Sequence, residues 1–358
     1  MRCSAAIGGA PPSHAPSACG PALGAGGVVI SIGVRQRIRS SSIPVAPMKV
    51  TEFNPQKDVR SQDGKIILVT GGTAGIGKEV LSVLALHKPA HLFFTGRNAK
   101  SAEAIISEIK AKAPSVAVTF LKCDLGSTTS VREATQKFLS VAQRLDILIA
   151  NAGIMAVPPG LTPDGHEIQW GTNFFGHAVL IHLLLPTMLR TAETPGADVR
   201  LLLATSQGYR LHPSGGVQFN ELHTKQEGIN TWMRYGQAKL GAILWARELA
   251  RRYPQIKVVS VHPGVVRTGL IENISLLNRL IAYNLSYMLG KVITLQQGAF
   301  NLIWAATVDV GKLESGAYYE PVGEKVSPNR AGTDDKLAGK LWDWTEKEFE
   351  KVGIGASN

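Results

Sequence analysis

Tyr235 and Lys239 lie four residues apart in the stretch Tyr235-Gly-Gln-Ala-Lys239, a spacing that on a helix puts both side chains on one face. A phenol titrates near pH 10 and exchanges protons poorly at neutral pH unless a nearby cation stabilises its phenolate. Lys239 would supply that charge and make Tyr235 a proton donor to a carbonyl oxygen. The same spacing is common on helices with no such role, so the surroundings decide. The apolar run Arg200 to Ala204 ends in Thr205-Ser206, and open α/β sheets bind ligands beyond the carboxyl ends of their strands. Ser206 would there hydrogen-bond the substrate oxygen and hold it against Tyr235. A second run, Ile147-Leu148-Ile149, leads to Asn151-Ala152-Gly153, a small-residue turn on the same edge.

A third run, Ile66 to Val69, enters Thr70-Gly71-Gly72-Thr73-Ala74-Gly75-Ile76-Gly77, after which helical spacing starts at Lys78. Gly71, Gly75 and Gly77, with Ile76 between the last two, allow a tight turn and close approach of backbone N–H groups to a pyrophosphate. The pattern is G-x-x-x-G-x-G rather than G-x-G-x-x-G. The next strand ends in Thr95-Gly96-Arg97-Asn98, with no acid. A ribose with free hydroxyls calls for a carboxylate at that point, whereas a 2′-phosphate is repelled by one and calls for an arginine. Arg97 therefore predicts NADP(H) rather than NAD(H), and an oxidised nicotinamide would add its charge to that of Lys239.

The elements that must position these groups follow from periodicity. Ile66–Val69, Leu92–Phe94, Val116–Leu121, Ile147–Ile149, Leu201–Leu203 and Val258–Val261 are continuously apolar, the pattern of strands buried on both faces. Between them run helical segments: Lys78–His87, Ala99–Lys112, Ser127–Gln143, Trp170–Leu189 and Trp232–Tyr253. Alternation of this kind predicts an α/β fold, a doubly wound parallel sheet of Rossmann type with right-handed crossovers. It forms a single domain over residues 60–330, followed by a C-terminal helix and tail over residues 331–358. Trp342 and Trp344 are expected to pack that helix on the sheet.

The chain has 358 residues, 44% hydrophobic and 18% charged, which excludes a mostly disordered or collagenous protein. Its net charge of +11 divides into +5 over residues 1–50, which contain no acid, and +6 spread over the rest without a basic block. That distribution speaks against nucleic-acid binding. Residues 1–50 are rich in Ala, Gly, Ser and Pro and lack either hydrophobic period. They read as a disordered extension, with Met48 as an alternative start, or as an organelle transit peptide. The expected location is the cytoplasm, or the mitochondrion under the transit-peptide reading. Three scattered cysteines make no disulfide framework, and no Cys/His spacing suggests a metal. His166, His177, His182 and His262 read as core or turn histidines.

Taken in order, Gly71 to Gly77, Asn151-Ala152-Gly153, Ser206, Tyr235-xxx-Lys239 and His262-Pro263-Gly264 resemble the short-chain dehydrogenase/reductase family over residues 60–330. The 29-residue interval from Ser206 to Tyr235 is similar to the retinol dehydrogenase and WW-domain oxidoreductase branch, particularly its fungal relatives. The resemblance implies that Asp124 meets the adenine with Leu125 beside it, and that Asn173 keeps a water linked to Lys239. It also implies that Val266 and Thr268 hold the nicotinamide half, and that Ser206, Tyr235 and Lys239 orient substrate, exchange the proton and lower the phenol pKa. Thr205-Ser206 stands where a Ser-Ser pair is more common, leaving the active hydroxyl open to an offset of one.

In that family the segment between Thr268 and Thr294 covers the substrate. Here Gly269 to Gly290 is apolar with few charges, which suggests a lipophilic aldehyde, ketone or alcohol and a lid that excludes water. The same segment leaves peripheral membrane contact open, and the family leaves a homo-oligomer open. The expected activity is NADPH-dependent carbonyl reduction, reversible as alcohol oxidation and without a metal, with secondary metabolism as one setting. A catalytically silent NADP(H)-binding sensor or scaffold is the alternative.

Overall fold

Strands with apolar side chains on both faces need a layer of helices on each side, and the computed structural model has that arrangement. It describes residues 53–266 and 293–355, which belong to one unit spanning residues 45–358. Eight strands form one sheet: β1 (Ile66–Val69), β2 (His91–Gly96), β3 (Ala117–Lys122), β4 (Ile147–Ala150), β5 (Arg200–Ala204), β6 (Lys257–Val261), β7 (Tyr318–Glu320) and β8 (Glu324–Val326). Their order is β3-β2-β1-β4-β5-β6-β7-β8. All neighbours are parallel except the β7–β8 hairpin. The strand order reverses at β1, which pairs β2 on one side and β4 on the other.

The long helices are α1 (Gly75–Ala85), α2 (Ala99–Lys112), α3 (Thr128–Val141), α4 (Gly176–Ala192), α5 (Thr231–Arg252), α6 (Leu295–Thr307) and α7 (Asp335–Lys351). Alternate strand residues feed two cores. Ile67, Val69, Leu92 and Phe94 share one with residues of α1, α2 and α6. Leu68, Phe93 and Leu148 share the other with residues of α3, α4, α5 and α7.

Four elements depart from the sequence expectation. β7 and β8 were not predicted, because Tyr-Tyr-Glu and Glu-Lys-Val carry no apolar run and become strands only by pairing with β6 and each other. α6 was also missed. Its signature is polar, a capping box in which Thr294 and Gln297 satisfy each other's backbone N–H groups. The helix expected over Trp170–Leu189 is instead a short turn at Ile168–Trp170, a π-helical turn at Gly171–Phe175 and then α4. Gly176 at that junction is pressed against the Leu125 carbonyl, where an added Cβ would lie 2.0 Å from the oxygen.

The C-terminal helix forms, but its tryptophans meet helices rather than the sheet. Trp342 stacks on Trp245 of α5 at 4.5 Å, and Trp344 meets Trp170 and Phe175. The stretch Ile168–Ala192 is apolar enough to cross a membrane by composition, yet 72% of its 18-residue apolar window is buried inside the protein, as in a core helix.

Candidate active site

Most of the helices whose first N–H groups need a partner get one from a side chain: Asn98 on α2, Ser127 on α3, Asn230 on α5 and Asp334 on α7. α1 begins at Ala74 with no side-chain cap, so its leading N–H groups are left for something else. They open onto a cleft of about 380 Å³ at the carboxyl edge of the sheet, lined by Gly71, Ala74, Gly75 and Ile76 at one end and Tyr235 and Lys239 at the other. Gly71 has φ +70°, which side-chain-bearing residues rarely adopt. Gly77 packs behind the turn, where an added Cβ would lie 2.3 Å from the Gly71 carbonyl oxygen and 2.8 Å from Asn151 Nδ2. Uncapped N–H groups, glycine approach and an open cleft fit a pyrophosphate.

Gly77→Ala is accordingly expected to cost about 1–3 kcal/mol of stability and to weaken NADPH binding. Denaturant unfolding with and without NADPH checks this. An unchanged midpoint together with unchanged NADPH stabilisation would show that the turn yields freely.

Arg97 follows β2 directly, is exposed, and lines the same cleft. It has no ion-pair partner among the described residues, so its guanidinium is available to an incoming phosphate. Asp124, exposed at the end of β3, accepts from the Gly126 N–H at 2.9 Å and lines the cleft with Leu125. Asn151 ties the turn after β4 to β1, its Nδ2 donating to the Thr70 carbonyl at 3.0 Å.

At the other end, Tyr235 and Lys239 project from the first turns of α5, both nearly buried at 8% and 5% exposure. Lys239 Nζ donates to the Ala204 carbonyl at 3.0 Å and lies 5.8 Å from the Tyr235 ring centroid. Ser206 is hydrogen-bonded to the Tyr235 side chain, and its Oγ accepts from the Gly208 N–H at 3.1 Å. Thr205 cannot take its place, because its hydroxyl donates to the Lys239 carbonyl at 2.8 Å in the core. Of the two hydroxyls, Ser206 is the one beside the phenol. An added Cβ on Gly208 would lie 3.0 Å from the Tyr235 ring and 3.3 Å from Ser206 Oγ, so a side chain there would press on the phenol.

Burial governs the ionisation of both groups. It pushes Tyr235 up to about 12 against the hydrogen bond from Ser206, and pulls Lys239 down to about 8. In the protein alone, desolvation thus outweighs the opposing influence of Ser206 on the phenol.

Asn173 stands behind the pair, in the π-helical turn. Its side chain both accepts from and donates to the Ile154 backbone, at 2.8 Å each, and its carbonyl accepts from His177 Nδ1 at 3.0 Å. Burial holds His177 at about 4, hence neutral, so Nε2 accepts from the Thr70 hydroxyl 2.9 Å away. That hydroxyl in turn receives the N–H groups of Asn151 and Ala152.

His177 and Thr70 thereby join Asn173 to the turns after β1 and β4, a connection the sequence reading missed. The signal was present as the His177 spacing of four from Asn173, but nothing local tied either residue to Thr70. Val266 has its side chain packed against Gly298 of α6, bridges to Ile293, and is not among the residues lining the cleft. Thr268 and the segment Gly269–Gly290 lie outside the described residues.

Residues 65–198 match the family profile described as short chain dehydrogenase. The short-chain dehydrogenase/reductase drtF of Aspergillus calidoustus is 36% identical over 80% of this chain and 94% of its own. Retinol dehydrogenase 13 of mouse is 30% identical over 78% of this chain and 82% of its own. Among solved structures, a short chain dehydrogenase of Burkholderia cenocepacia in complex with NADP shares the fold, with a TM-score of 0.58 and 22% identity over 74% of this chain and 98% of that one.

Proposed function

This chain belongs to the short-chain dehydrogenase/reductase family of nicotinamide-dependent oxidoreductases, and we propose that it is an NADPH-dependent carbonyl reductase acting on lipophilic aldehydes or ketones, reversible as an alcohol dehydrogenase. The observation that carries this reading is the Ser206–Tyr235–Lys239 cluster at the end of a cleft whose far end is an uncapped helix N-terminus. Gly71, Gly75, Ile76, Arg97, Asp124, Leu125 and Asn151 would hold the dinucleotide. When bound, it supplies or accepts the hydride.

The protein's own residues manage the oxygen and its proton. With its pKa at about 12, Tyr235 stays protonated across the working pH range and donates to the carbonyl oxygen as negative charge develops there. Ser206 steadies the same oxygen. The phenolate left behind is stabilised by the Lys239 ammonium, and Asn173, pinned by Ile154 and His177, would keep a water linked to the lysine for a proton relay. The apolar stretch Gly269–Gly290 in the sequence supports a lipophilic substrate.

Since Lys239 sits at about 8, its ammonium is present below that pH and lost above it. The kcat for carbonyl reduction should hold steady to about pH 8 and then fall, approaching tenfold per unit. A pH–rate profile on the wild type and on Lys239→Met checks the sign. A reductive rate that stays flat through pH 10 in the wild type removes Lys239 from the proton path.

The direct test of the function is NADPH oxidation by the full chain across a panel of lipophilic aldehydes and ketones. Turnover on members of the panel is expected. Tight NADPH binding with no turnover on any carbonyl would overturn the reading in favour of a sensor.

A further inference from the structure

His166, His223 and Glu348 come from three separate parts of the chain: the loop before the turn at Ile168, the loop after the 3-10 turn Phe219–Glu221, and α7. One donor atom from each lies within 4.8 Å of the other two. His166 Nε2 is 3.4 Å from Glu348 Oε2, and His223 Nε2 is 3.2 Å from Glu348 Oε1. Both contacts are long for charge-assisted hydrogen bonds, which run at about 2.7–2.9 Å. The two contacts run to different oxygens of Glu348, and one donor atom from each residue stands within 4.8 Å of the others, so a small inward movement of the exposed His223 brings the set to the spacing of about 3.3 Å between neighbouring donors around a tetrahedral ion with bonds of about 2.0–2.1 Å. His166 Nδ1 is also buried without a hydrogen-bond partner among the described residues, so neither nitrogen of this core imidazole is committed to a good hydrogen bond.

Access and ligand chemistry agree with that spacing. The His166 and Glu348 side chains are 1% and 3% exposed, whereas His223 is 43% exposed, giving the group an open side and one ligand free to close inward. Lys351 also reaches Glu348 Oε1, at 2.6 Å, but its side chain is 63% exposed and can return to water at little cost. Two imidazoles and one carboxylate are a donor set for zinc rather than for calcium or magnesium, which take oxygen ligands.

We propose that His166, His223 and Glu348 bind one Zn²⁺ ion, with the fourth position open to water. None of the three lines the cleft, so the ion acts on the scaffold. It ties α7 to the loop before Ile168, where the next residue, Glu167, makes a buried 2.7 Å ion pair with Arg234, the neighbour of Tyr235. The site thus braces the first turn of the helix that carries the reactive phenol.

The test uses the untagged full chain, stripped of metal by chelation and dialysis. Calorimetric titration with Zn²⁺ should show one more equivalent bound by the wild type than by His223→Ala, whose exposed position spares the fold. Any Zn²⁺ held by Cys3 or Cys19 would be common to both and cancel. Co²⁺ should give the intense visible absorption of a tetrahedral site in the wild type alone, and Glu348→Gln should weaken Zn²⁺ binding by roughly tenfold or more. Zn²⁺ should raise the melting temperature of the wild type and leave that of His223→Ala unmoved. Equal stoichiometry and equal thermal response in the two proteins, or no binding by either, overturns the proposal.

Discussion

Tyr235→Phe is expected to lower the kcat for carbonyl reduction by about 10³-fold, within the 10²–10⁴-fold range that a positioned proton donor contributes, while NADPH affinity changes by less than about threefold. The ring contributes to the 380 Å³ cleft whether or not it carries a hydroxyl, so the dinucleotide loses little packing. What disappears is the group hydrogen-bonded to Ser206 and held protonated by burial. No described neighbour replaces it: Thr205 is committed to the Lys239 carbonyl, and Lys239 Nζ to the Ala204 carbonyl. Stopped-flow hydride transfer alongside fluorescence titration of NADPH separates the two quantities. A mutant that keeps more than about a tenth of the wild-type rate would mean that the proton comes from elsewhere.

Arg97→Asp is expected to invert the cofactor preference. Charge-assisted hydrogen bonds contribute about 1.5–3 kcal/mol, so loss of the guanidinium should weaken NADPH by roughly 10–150-fold. The new carboxylate should also repel the 2′-phosphate and accept from a free ribose hydroxyl, strengthening NADH. Arg97 is exposed, at the end of β2, and lines the cleft, so the substitution should leave the melting temperature nearly unchanged. The ratio of kcat/KM for NADPH over NADH is the quantity to measure. An unchanged ratio would mean that another cation reads the phosphate.

These two residues stand out as candidates in the sequence itself, and for related reasons. Arg97 stands out because it ends an apolar run where a carboxylate would otherwise be expected. Tyr235 and Lys239 stand out because a spacing of four has only one meaning on a helix. Such signals are local, carried by residues close in the chain, as are the glycine turn and the six apolar strands. The strand pattern predicts the doubly wound sheet because nothing else buries both faces of so many short runs.

The remainder depends on residues that meet only after folding. Thr205 and Ser206 are indistinguishable as a dipeptide, and they separate once the Lys239 carbonyl claims the Thr205 hydroxyl. β7 and β8 have no strand signature of their own and exist because β6 offers an unpaired edge. The pKa of Tyr235 could not be read from its spacing to Lys239, since its sign is set by how completely the surrounding elements exclude water. His177 becomes part of the site through Thr70, more than a hundred positions away, and Glu348 faces two histidines from loops equally remote. Period, turn chemistry and helical spacing are properties of short segments, and the sequence determined those by itself. Desolvation and the convergence of side chains from distant elements belong to the packed tertiary structure, which alone decided which hydroxyl faces the phenol and how the site holds its protons.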